Sequence, residues 1–185
     1  QWWHDASNGR QGTPWRDPVT PDWLPVQSLT LWQKWGDRSL EDYHGSLWFR
    51  TSVTLTAAQA AQAATLALGR VEEVDHSWIN GQPVGTTEAR EIERRYTLQP
   101  GTLKAGSNDI VVHVFDGWSG GGIIPPADGQ TLILADGTRV PIANGWVYRR
   151  PPSGTEWSLR PPWAAMSGYA TINNGMLAPL TPYTI

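Results

Sequence analysis

The stretch Ser46–Leu55 alternates without a break. Leu47, Phe49, Thr51, Val53 and Leu55 fall on one side, and Ser46, Trp48, Arg50, Ser52 and Thr54 on the other. Ten residues at period two form a strand with one face in a core, and a helix cannot use that pattern. Further strand signals follow at short intervals: Thr65–Leu68, Val71–Asn80, Pro83–Gly85, Arg94–Leu98, Asn108–Asp116, Thr131–Leu134, Arg139–Ile142 and Trp146–Arg149. Turn dipeptides separate them, among them Asn80-Gly81, Pro100-Gly101, Ala105-Gly106, Asp136-Gly137 and Asn144-Gly145. Many short strands joined in this way predict an all-β chain, a jelly-roll β-sandwich. One segment departs from the pattern. Ala57–Ala64 (AAQAAQAA) is strong helix-forming sequence but too short for a stable isolated helix, so it reads as a helical connection between strands.

The organisation has three parts. Residues 1–25 carry four tryptophans and no period, and read as an irregular lead-in. Residues 26–150 hold the sandwich, and residues 151–185 form a Pro-rich connector and tail. At 185 residues the chain is long enough to bury a core without staples. The absence of cysteine excludes disulfides, thiolate nucleophiles and Cys-ligated metals. A net charge of −3 offers no basic footprint, so neither nucleic acid nor an anionic membrane is expected as a partner. No apolar run approaches a membrane span and no signal peptide is expected in these residues; if the protein is exported, that segment has been removed.

The residue type in excess is Trp, at 12 against 2 Phe. Such rings either fill a β core or lie exposed as flat platforms for the C–H faces of sugars. Trp48 lies opposite the Leu47/Phe49 face, so it is either exposed or covered by another layer. Parity leaves the side of Trp78 ambiguous. Gly117-Trp118-Ser119-Gly120-Gly121 fits G-x-S-x-G, the nucleophile elbow, but no helix can start at the Gly122-Ile123-Ile124-Pro125-Pro126 that follows. It reads instead as a mobile Gly-rich loop between strands, carrying Trp118 as a ligand contact. The four histidines are scattered; Asp75 and His76 point to opposite faces of a strand, and His113 reads as a strand residue. No spacing among ten Asp and seven Glu identifies a catalytic pair, and Glu88–Arg95 reads as a solvated charge run. No cofactor and no metal site is expected.

A more specific order runs through the middle of the chain: Asp75-x-x-Trp78-x-Asn80-Gly81-x-x-Val84-Gly85, Arg94-x-Tyr96, Leu103-Lys104-x-Gly106-x-Asn108, and a strand ending in Asp116. It resembles the sugar-binding jelly roll (galactose-binding-like) of glycoside hydrolase family two. It is more closely similar to the sandwich inserted into sialate O-acetylesterase-like carbohydrate esterases. Trp32-x-x-Trp35, Tyr43-x-Gly45-x-x-Trp48-Phe49-Arg50 and Leu68-Gly69 resemble that family's first half. Ile172-Asn173-Asn174-Gly175-Met176-Leu177-Ala178-Pro179-Leu180 resembles the stretch that re-enters the α/β SGNH catalytic domain. His44 stands where the family commonly has Asp, and Asn173 where it has Tyr.

The resemblance implies a parent enzyme that hydrolyses O-acetyl esters on sialic acid or plant cell-wall glycans, in the periplasm or outside the cell. The catalytic Ser, His and Asp blocks lie outside this sequence, so no catalytic residue is expected here. The expected partners are the SGNH domain of the same polypeptide and an O-acetylated carbohydrate. Asp116, Trp118, Ser119, Trp48 and Trp78 are the candidate ligand contacts. Asp75, Arg94 and Tyr96 are expected to hold strands together, and Asn80 and Gly81 to serve their turn. The alternatives are a free-standing carbohydrate-binding module using exposed Trp platforms, and a structural spacer.

Overall fold

The computed structural model describes residues 15–117, 119–142 and 145–151. Eleven strands run in order: β1 (Leu24–Pro25), β2 (Gly45–Leu55), β3 (Ala64–Glu72), β4 (Val74–Ile79), β5 (Gln82–Thr87), β6 (Glu93–Leu98), β7 (Gly106–Asp116), β8 (Gly122–Ile124), β9 (Thr131–Leu134), β10 (Arg139–Pro141) and β11 (Val147–Arg149). They form two antiparallel sheets. One has the order β1-β11-β2-β7-β4-β5; the other has the order β10-β9-β3-β6, with β8 also paired to β3. The protein is an all-β sandwich.

The central pair β2/β7 stays in register from Gly45↔Asp116 to Leu55↔Gly106. Its inner face presents Leu47, Phe49, Val53, Ile110, Val112 and Val114 to Leu66, Leu68, Ile123, Leu132 and Leu134 of the facing sheet, all buried in one core. Side-chain alternation along both strands makes this the period-two pattern of the sequence.

The Ala-rich segment forms a single turn, α1 (Ala57–Ala60). Thr56 caps it, with reciprocal Thr56 and Gln59 side-chain bonds closing a capping box. Two further differences concern boundaries. Val71–Asn80 is not one strand: β3 ends at Glu72 in one sheet, β4 begins at Val74 in the other, and Glu73 carries the chain across. The structure also joins the end of the lead-in to the sandwich, with β1 pairing β11 and Trp15 and Trp23 buried.

Trp15 and Trp23 cover the outer face of the β2/β7/β4 sheet, and with Trp48, Trp78 and Val111 they form a second apolar cluster. Trp15 stacks on Trp78 at 5.0 Å between centroids and lies 5.5 Å from Trp48. Arg50 locks the strip down. Its Nε bonds Asp109 at 2.7 Å, its Nη1 donates to the Asp17 carbonyl, and its guanidinium lies over Trp23. The central strands therefore bury both faces, and the second cover is a strip without secondary structure.

Candidate functional site

Burial decides the first two candidates. Trp48 and Trp78 are 0% and 1% exposed, so the reading of either as a sugar platform is corrected. Trp15 occupies the faces a sugar would need. Trp118 lies outside the described residues.

Asp75, Arg94 and Tyr96 form a closed polar cluster in the interior. Arg94 Nε donates to Asp75 Oδ1 at 2.8 Å, both side chains being fully buried, and its Nη atoms reach the carbonyls of Glu73, Ala89 and Ile92. Ser77 Oγ and Tyr96 Oη donate to the same carboxylate at 2.8 and 2.9 Å. Burial pushes the Asp75 carboxyl up, and the Arg94 charge beside it pulls it back. Burial, followed by the Asp75 charge, pushes the Tyr96 phenol well above its ordinary range. A group so enclosed ties β4 to β6 across the two sheets and is out of reach of a ligand. Gly85 leaves room for the Tyr96 ring, which a Cβ at that position would overlap. Asn80, at φ 51°, and Gly81, at φ 76°, make the β4–β5 hairpin turn. Asn80 does more than turn the chain. Its Nδ2 donates to the Thr102 carbonyl at 2.8 Å and to Asn108 Oδ1 at 2.9 Å.

Asp116 ends β7 and organises the loop beyond it. Its Oδ1 accepts the backbone N–H groups of Ser119 and Gly120 at 3.2 and 3.1 Å. Its Oδ2 is 2.8 Å from His44 Nδ1 and accepts Gln33 Nε2 at 3.2 Å. Glu73, at the crossing between the sheets, accepts the Gly117 N–H at 2.9 Å, and Gln33 Oε1 accepts the Gly121 N–H at 3.2 Å. Trp32 lies against Gly121 so closely that a Cβ there would overlap its ring.

Two carboxylates and one amide thus hold the loop from beneath. The same bonds settle the G-x-S-x-G motif. An oxyanion pocket needs a free N–H after the serine, and the Gly120 N–H is already given to Asp116. Ser119 Oγ sits 3.5 Å from Glu73 Oε1 and 3.5 Å from Arg90 Nη1, and not against an imidazole. His44 and Asp116 do form a pair of base and orienter, with the His44 side chain 30% exposed and Asp116 fully buried. No nucleophile completes it among the described residues.

The sequence pointed to Asp116 and Ser119 but missed Gln33, His44 and Glu73 as their partners. A signal for one of them was present: Glu72-Glu73 sets two adjacent carboxylates between Val71 and Val74, inside strand-like sequence. A cleft of about 340 Å³ opens beside the loop, lined by Leu31, Arg70, Glu72, Arg90, Glu91, Ser119 and Gly120. No group of three or more His, Asp or Glu is placed to hold a metal among the described residues. No helix there is long and apolar enough to cross a membrane.

No protein-family model and no curated protein matches this chain. Solved structures do match in fold. Bifidobacterium dentium β-glucuronidase, solved with coumarin-3-O-glucuronide, is similar over 56% of this chain and 17% of its own, at 20% identity and a TM-score of 0.50. Ruminococcus gnavus β-glucuronidase is similar over 78% and 25%, at 20% identity and a TM-score of 0.46. An uncultured Clostridium β-glucuronidase is similar over 62% and 19%, at 17% identity and a TM-score of 0.47. The chain thus spans a quarter or less of the length of these enzymes. The likeness is one of fold, over a part of each of these enzymes.

Proposed function

We propose that this chain is an accessory β-sandwich domain of a carbohydrate-active enzyme, namely the inserted jelly roll of an SGNH-type carbohydrate O-acetylesterase exported to the periplasm or beyond. In this reading the sandwich packs beside the catalytic domain and supplies one wall of the substrate cleft. The nucleophilic serine, its histidine base and the oxyanion donors belong to the partner domain. There the serine attacks the acetyl carbonyl and the histidine takes its proton.

The observation that carries the reading is the loop from Asp116 to Gly122. Its described backbone donors are spent on Asp116, Glu73 and Gln33, which braces it and leaves Ser119, exposed among otherwise buried described residues, beside a polar cleft. A pre-set wall suits substrate positioning. The motif resemblance supports the esterase as parent.

Acetate release is the test. The chain alone is expected to leave 4-nitrophenyl acetate and O-acetylated glycans intact. The polypeptide encoded by the whole reading frame around residues 1–185 is expected to release acetate from O-acetylated sialic acid or xylan. Turnover by the chain alone, or a reading frame with no serine hydrolase domain, would sink the proposal.

A further inference from the structure

The charges of the cleft beside the braced loop are unevenly paired. Arg70 projects from β3 into it, exposed, and its side chain has no ion pair or hydrogen bond among the described residues. Glu72, two residues on and on the same strand face, is 15% exposed and lies 4.0 Å from Arg90. Arg90 is 45% exposed and also meets Glu91, a second lining carboxylate that is itself 73% exposed. The lining therefore holds two guanidinium groups and two carboxylates, but both carboxylates lie against Arg90, and Arg70 is the cation left without a partner. This stands out in a chain whose net charge is −3.

The Ser119 hydroxyl, 3.5 Å from Arg90 Nη1, adds a polar group to the lining, and Leu31 adds an apolar one. A neutral sugar offers an unpaired guanidinium only uncharged hydroxyl acceptors. A carboxylate matches the guanidinium, because two parallel N–H···O bonds fit its planar fork. We infer that this cleft is a subsite for the carboxylate of an acidic sugar, received by Arg70 with Arg90 beside it and with the sugar's C–H face toward Leu31. The role of such a sugar as substrate rests on the function proposed above; the binding itself does not.

The test uses the 185-residue chain, titrated by NMR with methyl β-glucuronide, with the methyl glycoside of N-acetylneuraminate, and with methyl β-glucoside as the neutral control. At least one acid is expected to bind about tenfold more tightly than the glucoside, and to weaken as salt is raised. The Arg70→Ala variant, altered at an exposed position, is expected to lose that preference, and Arg70→Lys to keep only part of it. Binding by both acids marks the shared carboxylate, and binding by one identifies its source. Equal binding of the glucoside, no binding of either acid, or an unaltered preference in Arg70→Ala would overturn the inference. Acetate release by the longer polypeptide without any preference for acids would remove the subsite and leave the esterase. Acid binding without esterase activity would do the reverse.

Discussion

Arg94 is the residue on which the interior most depends. It is a fully buried cation whose bonds reach Asp75 and the backbone carbonyls of Glu73, Thr87, Ala89 and Ile92. Removing one partner of such a pair leaves an uncompensated charge in the interior, at a cost of about 3–5 kcal/mol. Arg94→Ala is expected to lower the unfolding free energy by that amount, read as a lower urea midpoint at an unchanged m-value. The double variant Asp75→Ala/Arg94→Met is expected to lose less than the sum of its single changes, since neither charge is then stranded. Near-additive losses would mean that the pair acts as two independent groups. That these residues would join strands was legible in the sequence. The carbonyls that complete the cluster were not, because they depend on how the chain crosses between the sheets.

Among the elements, the strands fall into two groups. β2 and β7 could be read almost to the residue, since strict alternation identifies both their type and their inner face. The break between β3 and β4 could not, because the residue that crosses, Glu73, lies within a stretch of strand-like sequence. The partners of Asp116 were hidden for another reason. His44 and Gln33 lie 72 and 83 residues away in sequence, and only the β2/β7 pairing and the Trp32–Lys34 turn bring them there. The loop they hold also depends on small size at one point. Gly121→Ala would force the Trp32 ring from its site, and overpacking of this kind costs about 1–3 kcal/mol. The expected result is a lowered midpoint together with faster hydrogen exchange at the Ser119 and Gly120 amides. Exchange confined to global unfolding would show that the loop does not respond as a unit.

For the molecule as a whole, the outer cluster sets the response to acid. His113 lies between Trp48, at 4.4 Å between ring centroids, and its cross-strand partner His76. Burial, and to a smaller extent the His76 charge, lowers its pKa from 6.5 to about 3. The folded chain therefore stays neutral at this site where the unfolded chain takes up a proton. The stability this provides is complete above pH 6.5 and is lost as the pH falls toward 3, by up to about 1.4 kcal/mol per unit. Denaturation midpoints measured from pH 7 to 4 are expected to fall. His113→Phe is expected to flatten that fall, and an unaltered slope would place the sensitivity elsewhere.

The Trp excess was visible in the composition and the outward parity of Trp48 in the alternation. Its cover was not, because the strip that supplies it has no period to read.

That strip has a consequence for how such a unit is inherited. Cut at residue 26, the gene would encode a sheet with two bare indoles on its back, prone to aggregate. A sandwich passed from one enzyme to another must bring its upstream tryptophans with it, so the seam at which evolution can splice this module lies before Trp15.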